Sequence, residues 1–235
     1  MSRRVEGSKV STQTNPFGPQ WASAGEAKQA KPVGQQVQQT LFGRAKPPVL
    51  DPAQFPQLAE QLKLLNKYKK KIAVMAGDDP DDYELVLAQG TIAMIDAEGR
   101  IYVGAEFLHA FGEHPPVLVG ALAHEIGHRP KRWHEYQTRR ELSREEIEYL
   151  CRHEETRADI FAGKALAEMK LDPEPIIEFL KAVETGPHPE YFPAEVRGQV
   201  IREAHAGRHY RAANRRKIFP DVERLHSPGG FLGEY

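Results

Sequence analysis

Cysteine is nearly missing: Cys151 is the one thiol in 235 residues. A lone thiol cannot close an intramolecular disulfide, so stability has to come from a packed core. No apolar stretch approaches the roughly 18–20 residues that a bilayer-spanning helix requires. Ser2-Arg3-Arg4 is followed by polar sequence instead of the apolar segment of a secretory signal. The expected setting is therefore the cytoplasm, with export by a non-classical route left open. Neither sign of charge dominates, with 32 Lys and Arg against 33 Asp and Glu and a formal net charge of −1. That balance argues against a chain-wide polyanion binder and leaves only local basic patches for such a role. Hydrophobic residues make up 40% of the chain, enough for a real core. The length suits one domain of roughly 150–200 residues plus some unstructured chain.

Aliphatic residues are sparse over residues 1–50, where Gln, Ser, Thr, Gly and Pro prevail, as in Gln35-Gln36-Val37-Gln38-Gln39. Such composition does not bury enough apolar surface to offset ordering entropy, so this stretch reads as a disordered arm. Phe17, Trp21 and the Leu41-Phe42 pair are candidate docking points for a protein partner, beside the simpler role of a solubilising arm. The folded domain is expected over residues 51–217, with a flexible tail over 218–235. Leu58, Leu62 and Leu65 predict a helix over 53–70, with Lys67-Tyr68-Lys69-Lys70-Lys71 at its C-terminal end. Short strands are expected at Ile72–Met75, Tyr83–Ala88, Thr91–Ile95 and Arg100–Val103, the last two joined by a hairpin turn at Asp96–Gly99. Helices follow. One opens at Pro115-Pro116 and stops at Pro130. A second starts at a capping box of Ser143 and Glu146, a third at Asp172-Pro173 and a fourth at Pro193. Strands first and helices after give an α+β class, a small antiparallel or mixed sheet preceding a helical core. Cys151 falls on the apolar stripe of the second helix and reads as core.

The informative stretch is Ala123-His124-Glu125-Ile126-Gly127-His128, an H-E-x-x-H pattern on a predicted helix. Residues four apart share a helix face, so His124 and His128 can present two imidazoles to one tetrahedral zinc ion. Glu125, one step round, is placed to take a proton from a water at the ion's open position. A third ligand is needed, and candidates compete. His134 stands ten residues after His124, the metzincin spacing, but Lys131 occupies the turn position that favours glycine. Glu155, in Glu155-Thr156-Arg157-Ala158-Asp159, lies in the capped helix, with Glu154 as its rival in register. Asp159, four residues on, can brace a ligand imidazole. Small Ala158 would let two helices approach closely.

A helical H-E-x-x-H followed by a second helix with E-x-x-A-D resembles the gluzincin zinc metallopeptidases, and within them the family of HtpX-type heat-shock proteases and CAAX prenyl proteases. Residues 99–108 resemble the strand that precedes the zinc helix there, Phe161-Ala162-Gly163 fits the motif's continuation, and His188-Pro189 with Arg197 is similar to the downstream signature. The resemblance implies a zincin-like metallopeptidase domain with Zn2+ held by His124, His128 and Glu155, and Asp159 behind them. It also implies His188 near the cleft, helping to stabilise an oxyanion. The expected activity is that of a zinc endopeptidase with Glu125 as general base, its protein or peptide substrate bound extended along an Arg100–Val103 edge strand. The alternative is a nucleic-acid-associated or scaffold protein with a structural or degenerate zinc site, resting on the basic run from His205 to Lys217. Tyr191 and Tyr210 are further candidates for catalysis, and the C-terminal tail for a plug that keeps the cleft latent.

Overall fold

The computed structural model describes residues 31–130 and 141–207. It is mixed α+β and mostly helical, with one small sheet, and order begins well before Asp51. Helix α1, Val33–Phe42, belongs to the folded domain and packs on α5, Arg144–Glu168. The expectation of a disordered arm to residue 50 is therefore corrected for residues 31–50. Average composition hid the reason. Val33, Val37 and Leu41 stand four apart on one helix face, and with Phe42 they are buried in the core.

Helix α2 runs from Pro56 to Ala76 and stops at Gly77, which takes φ +70° as a left-handed cap. The expected strand at Ile72–Met75 is instead the last turns of this helix. Leu65, Lys69, Ile72 and Ala73 are buried at helical spacing, and a four-residue apolar run cannot by itself distinguish the two periods. The lysine run thus lies inside α2, not at its end. Lys69 is drawn in: its Nζ donates to the Tyr83 carbonyl at 2.6 Å, and burial lowers its pKa.

Three strands follow, β1 (Glu84–Ala88), β2 (Ala93–Ile95) and β3 (Arg100–Gly104), in the order β1-β3-β2. β1 pairs parallel with β3, Leu85 opposite Ile101, and β2 pairs antiparallel, Met94 opposite Tyr102. The β2–β3 turn closes at Gly99 with φ +89°, and Asp96 Oδ1 accepts from the Glu98 and Arg100 amides. The expected substrate-pairing edge at Arg100–Val103 is corrected here: β3 is the central strand, paired on both sides. The outer edge of β1 is covered by residues 48–50, with Leu50 N–H donating to the Leu87 carbonyl and Gln89 N–H to that of Pro48. β2 is the edge that faces the helices.

The helical part comprises α3 (Ala105–Phe111), α4 (Pro115–Gly127), α5, α6 (Glu174–Val183) and α7 (Ala194–His205). Ser143 and Glu146 form the capping box of α5 in both directions. Aliphatic side chains of α4, among them Leu118, Leu122 and Ile126, meet Leu150 and Leu166 of α5 in the core. Gly127 makes the closest approach possible: a Cβ there would stand 3.0 Å from Ala158 Cα. Gly163 does the same for α7, where a Cβ would stand 2.5 Å from the Ile201 carbonyl oxygen. Among the described residues no helix is long and apolar enough to cross a membrane.

Candidate metal centre

The close packing of α4 on α5 brings three side chains to one point. His124 Nε2 is 3.1 Å from Glu155 Oε2, and His128 Nε2 is 3.7 Å from Glu155 Oε1. One ligand atom from each of the three lies within 4.8 Å of the others. Donors on a tetrahedral ion at 2.0–2.1 Å stand about 3.3 Å apart, and these two separations, one to each carboxylate oxygen, lie either side of that value. Of the competing ligands, Glu154 turns away: it is buried and ion-paired with Arg157, whose Nη2 also donates to the His128 carbonyl at 3.1 Å. His134 lies outside the described residues.

Behind the cluster stands a chain of charged hydrogen bonds. His124 Nδ1 is 2.9 Å from Asp159 Oδ1. With a proton on Nδ1 donated to that carboxylate, Nε2 keeps its lone pair for the convergence point. Arg197 from α7 grips Asp159 with both arms of its guanidinium, Nε to Oδ2 at 2.8 Å and Nη2 to Oδ1 at 2.9 Å. Burial pushes the Asp159 carboxyl up, but Arg197 and His124 outweigh it and hold it well below the usual carboxylate range. Burial likewise opposes charge on Glu155, yet the two imidazoles and Arg197 keep its pKa low. Burial lowers the His124 imidazole, and the Asp159 and Glu155 carboxylates more than reverse that. His128, dominated by burial, is lowered. Two imidazoles with one carboxylate are a donor set of catalytic zinc. The residues present therefore fit the ion that the sequence pattern implies.

Glu125 flanks the cluster and faces a cavity of about 140 Å³. Burial pushes its carboxyl pKa up, and its Oε2 accepts from the Ile95 N–H of β2 at 2.9 Å. Ala93, Met94 and Ile95 form one wall of that cavity. The opposite wall is Leu41, Phe42 and Arg44 from the N-terminal segment, together with Tyr191. Phe42 stands edge-on to His128 with ring centroids 5.4 Å apart.

Tyr191 is caged. The Arg197 and Arg44 guanidinium carbons lie 5.5 and 5.8 Å from its ring centroid, and the His188 ring 4.7 Å away. Burial, with Glu155 nearby, raises the phenol pKa well above its ordinary value, so the hydroxyl keeps its proton.

His188, expected near the cleft, does not line it. It sits on the exposed α6–α7 connection, and its Nδ1 accepts from the Glu190 amide at 3.2 Å. Its ring supports Tyr191 from outside. Arg197, by contrast, reaches the site through Asp159, because α7 packs on α5 wherever His188 falls. Sequence reasoning missed Arg44 and the placement of Leu41 and Phe42. The only signal was an apolar pair in a polar stretch, which the fold uses inside the chain. Cys151 is buried, its thiol pushed up to about 12 chiefly by burial. Tyr210, the basic residues 208–217 and the tail 218–235 lie outside the described residues. No family model, curated protein or solved structure matches this chain.

Proposed function

We propose that the protein is a zinc-dependent endopeptidase with a zincin-like domain, similar to the gluzincins. The observation that carries this reading is the convergence of His124, His128 and Glu155 within 4.8 Å, with Glu125 beside them on the same cavity. Bound there, Zn2+ supplies Lewis acidity that polarises a peptide carbonyl and makes water nucleophilic near neutral pH.

The chain's own residues do the rest. Glu125 takes the proton of the attacking water and delivers it to the leaving amine, oriented by the Ile95 amide. Asp159 and Arg197 hold the His124 ring in one tautomer and orientation. Tyr191, protonated and lining the cavity, offers its hydroxyl to a developing oxyanion, the part His188 was expected to play.

Substrate pairs with β2. Ile92 and Asp96 bond toward β3, so strand alternation turns the N–H and C=O of Ala93 toward the cavity. An extended peptide laid there adds a fourth strand.

The test is Glu125→Gln, assayed on a mixed peptide library beside metal analysis of both proteins. Wild type should carry about one zinc per chain and cleave; the variant should keep the metal and lose at least 100-fold in kcat. Undiminished cleavage by the variant would reject the role of Glu125. A metal-free wild type that takes up no added zinc would reject the centre itself.

A further inference from the structure

A cavity of about 140 Å³ is too small for the proposed reaction. Pockets for small ligands alone measure roughly 300–1,000 Å³. An extended peptide beside β2 needs more room still, so something in the described arrangement must move. The wall facing β2 has two parts of different character. Helix α1 is anchored: Val33, Val37, Leu41 and Phe42 are all buried, and Gln38 donates to the Pro130 carbonyl. Residues 48–50 are anchored too, by hydrogen bonds to the outer edge of β1.

Between these fixed points runs Gly43–Pro47, with residues 43–46 exposed. Its Gly43 amide caps α1 on the Gln39 carbonyl, and beyond that point side chains tie it. Arg44 Nη2 bonds Glu190 Oε2 at 2.8 Å on the α6–α7 connection, beside Tyr191. Lys46 Nζ lies 3.0 Å from Asp96 Oδ2 and 3.1 Å from Glu98 Oε2 on the β2–β3 turn. The segment thus bridges the cavity mouth from the helical side to the sheet side. Both tying cations are about half exposed, so salt screens their ion pairs, although the Asp96 carboxylate under Lys46 is buried.

We propose that Gly43–Pro47 is a releasable strap: breaking the Arg44 and Lys46 ion pairs swings it off the mouth and admits an extended peptide to β2, while α1 stays as the fixed back wall. The consequence for substrate rests on the endopeptidase reading, but the motion does not. A strap held in this way opens by releasing two ion pairs, and sets a limit on chains that cannot enter as a single extended strand.

The test measures access to the site without requiring metal or activity. The full chain, treated with a chelator, is exposed to diethyl pyrocarbonate, and labelling rates of His124 and His128 are followed by mass spectrometry. Arg44→Ala/Lys46→Ala should raise both rates by about 3- to 30-fold, read well below the urea midpoint of either protein so that global unfolding does not contribute. Raising salt from 0.05 to 0.5 M should speed wild-type labelling and leave the double variant nearly unaffected. Equal rates in the two proteins, or wild-type labelling indifferent to salt, would overturn the strap. Casein cleavage is then compared. Faster labelling with no cleavage by either protein would keep the strap and sink the peptidase reading; cleavage with unchanged labelling would do the reverse.

Discussion

His124 is positioned by charge at two removes. Its Nδ1 meets Asp159, and Asp159 is held in turn by both arms of Arg197. Asp159→Asn keeps the shape but replaces one carboxylate oxygen with an NH2 that faces a donor, so the ring loses its brace. Zinc affinity measured by chelator competition should fall by about 10- to 100-fold, and an unchanged affinity would show that the brace is idle. At this scale H-E-x-x-H was legible because residues four apart must share a helix face. Glu155 against Glu154 was not legible from periodicity. Neighbours on a helix diverge by about 100° in direction, yet both fit the apolar stripe, each three or four residues from Cys151 and from Ala158. The resemblance to gluzincins named Glu155, and the packing of α5 puts it, not Glu154, against the imidazoles. His188 shows the opposite lesson: spacing along a loop says little about which of its residues turns inward, whereas Arg197 is carried to Asp159 by the packing of α7.

Among the elements, the β2–β3 turn is the most heavily tied. The Asp96 side chain is buried and accepts from the Glu98 and Arg100 amides, the Tyr102 hydroxyl and the Lys46 ammonium. Burial alone would raise its pKa, but these donors outweigh burial and hold the carboxyl below its ordinary value. An unfolded aspartate titrates near 3.9, so the stabilisation is fully present above that value and is lost as pH falls through the lowered folded one. Asp96→Ala should destabilise by about 1–3 kcal/mol near pH 6, through the donors left unsatisfied. The gap to wild type, read by urea unfolding across pH, should shrink below about pH 4. A gap constant down to pH 2 would mean that the carboxylate charge contributes nothing. The hairpin and the capping box were readable because each rests on contacts within a few residues. The central place of β3 was not, since strand order depends on a parallel pairing with β1 that no local signal encodes.

For the whole molecule, the proposed centre draws on elements from across the fold. Its candidate ligands lie on α4 and its C-cap and on α5, the Asp159 brace is held from α7, and Glu125, the proposed base, accepts from β2. An ion bound only by the folded chain should therefore stabilise all of them together. Zinc at 100 times its Kd should add about 2.7 kcal/mol, visible as a rise in Tm that a chelator reverses. A Tm indifferent to zinc and chelator would contradict the proposed centre.

Local chemistry in the chain was enough to specify the α+β class, the paired imidazoles, most helix starts and the hairpin turn, because each depends on residues close in sequence. Long-range packing settled what spacing could not. It turned Glu155 inward, set Tyr191 and not His188 on the cavity wall, left β2 at the sheet's edge, and drew residues 31–50 into the domain, with Leu41, Phe42 and Arg44 lining the cavity. Those outcomes follow from which apolar faces find each other, and Val33, Val37 and Leu41 acquire a reason to be helical only once α5 is there to cover them.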